Sequence, residues 1–107
     1  DGLGLAASAL ERLVRVGYQI LGLLTFYTVV GEELRAWSLR QGATALDAAG
    51  KVHSDMARGF IRAEVIAVEE FLAAPSLAEL RERGAVRLEG REYRVREGDI
   101  LTVRFSP

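Results

Sequence analysis

Hydrophobic residues at the start of the chain recur every three or four positions, as they do along one side of an amphipathic helix. This spacing predicts a helix over residues 4–21, with Glu11, Arg12 and Arg15 on its polar side. Gly22 predicts the end of the helix, because glycine readily adopts the left-handed conformation that follows many helices. The apolar stripe consists of Leu3, Ala6, Leu10, Leu13, Val14, Gly17 and Leu21.

The pattern then changes to β-branched and aromatic residues. Leu24–Val30 and Leu34–Leu39 are rich in residues that favour strands, and Gly31-Glu32 between them is typical of a turn. We therefore expect a β-hairpin directly after the first helix.

A second helical pattern follows the hairpin. Thr44 and Asp47 have the spacing of a capping box, with Asp in place of the usual Glu. A single helix is predicted from there to Arg58-Gly59. Its buried stripe consists of Ala45, Ala48, Ala49, Val52 and Met56.

Five further elements complete the pattern. Ile61–Val68 is predicted to be a strand, Pro75-Ser76 precedes a short helix capped by Ser76, and Glu69–Ala74 favours neither state. Three short strands are predicted at Val86–Leu88, Tyr93–Val95 and Leu101–Phe105. A helix followed by β-β-α-β-α-β-β predicts an α+β fold of the β-grasp, ubiquitin-like type, in which a mixed sheet wraps one main helix.

Composition limits the possible functions. The 107 residues carry 14 Lys+Arg and 15 Asp+Glu, a net charge of -1, which excludes a domain that binds nucleic acid with its whole surface but allows a local basic face. The absence of cysteine excludes disulfides, thiolate metal sites and a cysteine nucleophile. The apolar stretch Ile20–Val30 is shorter than the roughly 20 residues of a membrane helix, so no membrane contact is expected.

Two details concern the origin of the chain. It begins with Asp1 and its single methionine is Met56, so we expect a fragment or a processed product. The basic residues are 13 Arg and one Lys, and there is no Asn. That bias is expected of a thermophile and equally of a GC-rich genome.

Several longer motifs resemble a known family. Lys51–Asp55 followed by Gly59–Val65, and later Arg87–Gly90 with Tyr93–Val95 and Gly98-Asp99, are similar to the TGS domain of Obg-like ATPases of the YchF type. Leu24–Thr28 and Arg35–Trp37 also resemble the entry into that domain, so the resemblance covers about residues 10 to 107. The run from Ala48 to Val65 is the most specific part.

The resemblance implies a position in a larger protein. In this family the TGS domain is C-terminal and follows a P-loop nucleotide-binding domain, so residues 1–22 are expected to be the terminal helix of that domain and residues 23–107 the TGS domain. The parent protein would be cytoplasmic and would use ATP or GTP with Mg²⁺. This chain has no glycine-rich loop ending in Gly-Lys-Ser or Gly-Lys-Thr. We therefore expect no catalytic, cofactor-binding or metal-binding residues in it.

His53 is the only histidine, and it allows three interpretations. Catalysis would require an orienting carboxylate, but Asp55 is two positions away, where side chains on a helix diverge. A structural histidine bonded to a backbone carbonyl is the alternative that the residues themselves favour. By resemblance to TGS domains of stringent-response and threonyl-tRNA synthetases, His53 with the neighbouring Lys51 would instead contact RNA.

Alternation along the strands predicts one arginine-rich sheet face. Five arginines against two glutamates would give this face a local charge of +3. Arginines beside an aromatic ring can hold phosphates and stack unpaired bases, so contact with the ribosome or structured RNA is predicted. A charged outer face is also ordinary for a half-exposed sheet. The inward set is Ile61, Ala63, Val65, Tyr93, Val95, Leu101, Val103 and Phe105; the outward set is Arg62, Glu64, Glu92, Arg94, Arg96, Thr102 and Arg104, joined by Arg35 and Trp37 from the hairpin.

Other functions remain open at this level. Trp37 could lie beneath the first helix or against the nucleotide-binding domain, and the chain would then be a protein-docking domain without RNA contact. A sulfur-carrier role is weak, because those proteins expose a C-terminal Gly-Gly and this sequence ends Ser106-Pro107. A ribosomal-S4-like RNA-binding module is the second choice of fold, but Ile61–Val68 fits it poorly.

Overall fold

The computed structural model describes residues 2–30, 33–74 and 76–107, and their elements follow the predicted order closely. The predicted Gly31-Glu32 turn and Pro75 lie outside the described residues. The elements are α1 (Gly2–Ile20), β1 (Leu23–Val30), β2 (Glu33–Arg40), α2 (Ala45–Val52), α3 (Ser54–Arg58), β3 (Phe60–Ala67), α4 (Val68–Ala73), α5 (Leu77–Glu82), β4 (Arg87–Glu89) and β5 (Asp99–Phe105).

The five strands form one mixed sheet in the order β2-β1-β5-β3-β4. β1 pairs antiparallel with β2 and parallel with β5, where Tyr27 lies opposite Ile100. β3 pairs antiparallel with both β5 and β4. The last strand of the chain therefore lies at the centre of the sheet, and the predicted β-grasp fold is confirmed.

The main core lies between the first face of the sheet and α2. Phe26, Val65 and Leu101 of the sheet pack with Ala45 and the neighbouring alanines of α2, all of them nearly inaccessible to solvent. Small residues on α2 let the helix approach the strands closely. This face is the apolar side that the strand alternation predicts.

The second face of the sheet is not wholly exposed. Ile66, Leu80 and Ile100 form a smaller buried cluster there, to which α4 and α5 contribute Phe71 and Leu80. This apolar cluster was not part of the outward set expected from the sequence, and it forms because α4 and α5 fold back over one end of that face. The part of this face near Arg62 and Arg104 stays open.

Helix α1 matches the predicted first helix and contacts β1. The large residues of the predicted apolar stripe whose burial is described are exposed: Leu13 and Leu21 are 68% and 72% accessible. None of the described helices combines the length and the hydropathy of a membrane-spanning segment.

The predicted main helix is interrupted at His53, so the expectation of a single helix to Arg58 is wrong. His53 adopts an extended backbone (φ -165°, ψ 136°) that ends α2 and begins α3. Its Nδ1 accepts a hydrogen bond from the backbone N–H of Asp55 at 3.1 Å. The imidazole therefore caps α3. It does not bond to a backbone carbonyl, which was the structural role expected from the sequence.

Tyr93–Val95 does not form the predicted strand. Only an isolated antiparallel bridge joins Thr44 to Arg94. Backbone bonds from Ala45 N–H to the Tyr93 carbonyl and from Val95 N–H to the Ala43 carbonyl hold the segment. The Asp99 side chain adds to them: the Tyr93 hydroxyl donates to Asp99 Oδ2 at 2.6 Å, and the Arg96 backbone N–H donates to the same oxygen at 2.9 Å. Burial, and the bond to the Asp99 carboxylate, raise the pKa of Tyr93.

A register shift between Phe60 and Arg62 changes the start of β3. Phe60 is buried and Ile61 is 56% exposed, so the predicted inward position of Ile61 is wrong. A bulge inserts one residue and so reverses the alternation before it. Ala63 and Val65 keep their predicted inward positions.

Candidate functional site

The strand register divides the predicted arginine face between the two sides of the sheet. Trp37 lies opposite Phe26, and the two rings stack 6.4 Å apart on the side of the main core. Arg62 lies opposite Arg104, next to the inward pair Ala63 and Val103, so both arginines are on the second face. The expectation that Arg35 and Trp37 join them is therefore wrong.

Arg35, Trp37, Lys51 and His53 are instead associated with β2 and α2. The Arg35 guanidinium lies 4.7 Å from the centre of the Trp37 ring, and the indole N–H donates to Thr28 Oγ1 at 3.0 Å. Lys51 Nζ donates to Ser38 Oγ at 3.3 Å. These four residues lie in β2 and at the end of α2, and so are not grouped with the arginines of the second face.

Arg94 and Arg96 occupy a third location, in the segment between β4 and β5. Both are exposed. Arg94 is held through its backbone bridge to Thr44, and Arg96 through its backbone N–H to Asp99. The structure thus places the eight predicted residues in three groups.

Glu64 organises the arginines of the second face. Arg81 donates to both of its carboxylate oxygens, at 3.1 and 3.4 Å, and Arg104 donates to Oε2 at 3.3 Å. The Glu64 side chain is 11% exposed, while those of Arg81 and Arg104 are 47% and 52% exposed. A carboxylate beneath the surface therefore holds two guanidinium groups that still face solvent.

The pKa of Glu64 reflects this arrangement. Burial by itself raises the pKa of the carboxyl group, but hydrogen bonds and charge from Arg81 and Arg104 outweigh burial and leave the pKa below its ordinary value. Glu64 is ionised near neutral pH and serves as a fixed anionic anchor.

Arg62 adds a third cation beside this pair. It is exposed, and it lies directly opposite Arg104 in the sheet. We call Arg62, Arg81 and Arg104 around Glu64 the arginine cluster; its local charge is +2 on a chain whose total is -1. Like charges placed opposite each other destabilise a sheet, so the cluster is suited to an anionic ligand.

Sequence reasoning found Arg62 and Arg104 but missed Arg81, which follows the buried Leu80 on α5. Nothing near Arg81 in the sequence indicates that it meets Glu64, 17 residues earlier. The available signal was the apolar pair Ile66 and Ile100, which continues the outward side of β3 and β5 and requires a covering element.

A separate apolar surface lies where α1 faces the sheet and α4. A cleft of about 630 Å³ separates α1 from the sheet and α4, and Leu10, Val14, Tyr27 and Leu72 are among its lining residues. Leu10 and Leu72 are 62% and 71% exposed. Among the described residues, no group of three or more His, Asp or Glu side chains is placed to hold a metal ion.

Comparison with known proteins agrees with the fold. The family model YchF-GTPase_C, described as a protein of unknown function (DUF933), matches residues 23–106. A ribosome-binding ATPase YchF of Bacillus subtilis (strain 168) is 46% identical over 106 residues, covering 99% of this chain and 29% of that protein. The protein of the same name from Escherichia coli O157:H7 is 42% identical over 104 residues, covering 97% and 29%.

Solved structures give the same result. The YchF GTPase of Schizosaccharomyces pombe superposes with a TM-score of 0.77 at 28% identity, covering 87% of this chain and 25% of that one. A GTP binding protein from Pyrococcus horikoshii OT3 superposes with a TM-score of 0.58 at 26% identity, covering 90% and 24%. The chain thus spans about 29% of the length of the curated relatives it matches. The match over residues 23–106, together with the identities to full-length relatives, shows that the chain belongs to the YchF-GTPase_C family.

Proposed function

We propose that this chain is the non-catalytic, ribosome-contacting domain of a cytoplasmic YchF-type ATPase/GTP-binding protein. The observation that carries the proposal is the arginine cluster, which presents three exposed guanidinium groups on the open part of the sheet. The names of the relatives, which describe ribosome-binding ATPases, support this choice of partner.

The charge distribution supports a local contact. A chain with net charge -1 is not attracted to RNA as a whole, so attraction depends on where its cations are concentrated. The cluster provides one such concentration, and contact through it would weaken as salt screens it.

Co-sedimentation of the 107-residue chain with purified ribosomes tests this role. We expect the chain to pellet with ribosomes at about 50 mM salt and to be released towards about 200 mM. A chain that stays in the supernatant at the lowest salt would contradict the proposal. The groups around Arg35 and Arg94 are the other predicted places of ribosome contact, and variants at both sites belong in the same assay.

ATP or GTP with Mg²⁺ is assigned to the remainder of the parent protein and not to this domain. The sequence lacks the Gly-Lys-Ser or Gly-Lys-Thr phosphate loop on which P-loop hydrolysis depends. We expect nucleotide hydrolysis by the isolated chain to equal the buffer background. Turnover that follows the folded chain through successive purification steps would contradict this assignment.

A second candidate function is docking on the parent's nucleotide-binding domain without RNA contact, with residues 1–22 as part of that domain and residues 23–107 as the TGS domain. The exposed apolar residues of α1 favour it, because an uncovered apolar surface of this extent is typical of an interaction site. We expect Leu13→Glu in the full-length parent to increase protease cleavage near Gly22. Unchanged cleavage, with ribosome binding abolished only in arginine-cluster variants, would leave ribosome contact as the sole proposed role.

A further inference from the structure

We propose that strand β2 pairs antiparallel with β2 of a second copy of this chain, so that two sheets join into one continuous sheet. In the described sheet, β2 lies at the end of the strand order and is paired on one side only. The surface that binds is the free edge of β2, made of the backbone N–H and C=O groups that point away from β1. This self-association needs no ribosome, so it can be tested on the chain alone.

The bonds of Thr25 in β1 show how the opposing residue of β2 is oriented. The Thr25 N–H donates to the Glu97 carboxylate at 3.2 Å, and the Thr25 C=O accepts from the Gly98 N–H at 2.9 Å. Neither group therefore bonds to Ser38, which lies opposite Thr25 in β2. Bonded and non-bonded pairs alternate in an antiparallel ladder, and the residues of a non-bonded pair turn their N–H and C=O groups away from each other. The N–H and C=O of Ser38 thus point to the free edge.

Alternation extends this orientation along β2. Ala36 and Leu34 lie two and four positions before Ser38, so they also point their N–H and C=O groups to the free edge. A row of unpaired backbone groups is a template for another strand, and each bonded pair of residues exchanges two hydrogen bonds. Strand β2 can therefore bind a second strand without changing its own bonds to β1.

The described part of β2 lacks the usual features that keep strand edges apart. The register of β2 with β1 is continuous from Glu33 to Arg40, without a bulge, and the strand contains no proline. The Lys51 side chain of α2 donates to Ser38 Oγ at 3.3 Å. Lys51 is exposed, and a single exposed hydrogen bond contributes little free energy, so this contact does not close the edge.

The side chains of β2 fit a second copy in the register centred on Ala36. A two-fold axis through Ala36, perpendicular to the sheet, places residues at equal distances from Ala36 opposite each other and on the same face. Leu34 then faces Ser38, and Arg35 faces Trp37 of the other copy. Within one chain the Arg35 guanidinium already lies 4.7 Å from the centre of the Trp37 ring, a favourable cation–π distance. The same attraction across the axis favours an identical strand as the partner, and each charged residue from 33 to 39 faces a neutral one.

Sedimentation equilibrium of the 107-residue chain tests the pairing. A contact through one strand is small for a protein interface, so we expect reversible association. Between about 1 µM and about 1 mM chain, the weight-average mass should rise from the monomer value of 11.7 kDa towards the dimer value. A mass that stays at the monomer value throughout would overturn the proposal. Growth beyond the dimer would also overturn it, because a two-fold pairing leaves no β2 edge free.

Ala36→Lys and Ala36→Glu test the register. Ala36 lies opposite itself across the axis, so either variant alone opposes two like charges and should associate severalfold more weakly than the parent chain. An equimolar mixture should associate more tightly than either variant alone, because lysine then faces glutamate. Equal association of the mixture and of the single variants would exclude the pairing at Ala36.

Ala78→Lys and Ala78→Glu are the matched controls. Ala78 is exposed and lies on α5, so these variants carry the same net charges as the Ala36 variants without changing β2. Their association should equal that of the parent chain. Equal weakening by the substitutions at both positions would show an effect of net charge alone and would exclude the edge as the site.

Hydrogen exchange on the parent chain is a second measurement that needs no variant. The N–H groups of Leu34, Ala36 and Ser38 should exchange more slowly at the highest chain concentration than at the lowest, because pairing gives them partners. The N–H groups of Arg35 and Trp37 bond to β1 in each chain and should change less. Protection that depends on concentration but is confined to another element, such as β4 at the opposite end of the sheet, would contradict pairing through β2.

Discussion

Replacement of Gly59 by alanine should destabilise the chain for a purely steric reason. A Cβ atom at this position would lie 1.8 Å from the backbone oxygen of Ser106 and 2.8 Å from its carbonyl carbon. Gly59 has φ -102° and ψ 18°, which alanine can adopt, so no backbone penalty contributes. The contact is with main chain and not with a flexible side chain, so the end of β5 has to move.

The expected cost is about 1–3 kcal/mol of unfolding free energy, the usual range for atoms inserted into a packed region. The displaced segment also contains the hydrogen bond from the Ser106 N–H to the Gly59 carbonyl, at 2.8 Å. For a domain near 100 residues, each kcal/mol corresponds to roughly 4–8 °C in Tm. Thermal unfolding followed by far-UV circular dichroism should therefore show a decrease of at least about 4 °C.

Gly50→Ala is the matched control. Its Cβ would lie 3.4 Å from the Ala57 Cβ, an ordinary contact, and Gly50 is inside α2. Alanine there should stabilise the chain by about 0.5–1 kcal/mol through helix propensity. A Gly59→Ala protein as stable as the parent chain would refute the steric reasoning. Deleting residues 106–107 should remove most of the free-energy cost of Gly59→Ala. A cost that persists after the deletion would also refute the steric reasoning.

Three further predictions concern side chains. Folding lowers the pKa of Glu64, so the contribution of Glu64 to stability is complete above the ordinary value of 4.5 and is lost as pH falls through the lower folded pKa. In urea unfolding, the free energy of unfolding of E64Q should therefore depend less on acid pH than that of the parent chain, and an unchanged dependence would contradict this. Tyr93→Phe leaves Asp99, 3% exposed, without its hydroxyl donor and should cost about 1–3 kcal/mol in urea unfolding; a cost near zero would show that the bond is not stabilising. His53→Ala removes the cap of α3 and should cost about 1 kcal/mol, with His53→Asn restoring most of it in the same assay; equal stability of both variants would exclude capping.

Local chemistry made several elements predictable. The Thr44–Asp47 capping box and the Ser76 cap are both present as the sequence indicates, because each depends on residues within three positions of one another. The break at His53 could not be predicted in this way. Val52 and Met56 continue the apolar spacing across it, and histidine is not a preferred cap.

The candidate site shows a different limit. Alternation places Arg62 and Arg104 on one side of their own strands, and the structure agrees. Alternation shows which residues of one strand share a side. It does not show which side of a second strand lies on the same face of the sheet, so Arg35 was assigned to the wrong face. That choice depends on the pairing of Phe26 with Trp37, which is a tertiary contact. To predict that Arg81 belongs to the site, one would have to know how α5 packs.

The central position of β5 has a consequence for biosynthesis. In the described sheet, the β1–β2 pair and the β3–β4 pair join only through this strand, which comprises Asp99–Phe105 and is the last of the described elements. Synthesis runs from the N-terminus, so neither half can complete its hydrogen bonding until these residues have left the exit tunnel. We expect nascent chains that stop before Asp99 to expose two open strand edges and to be sensitive to protease. Chains long enough for Asp99–Phe105 to leave the tunnel should complete the sheet in one step.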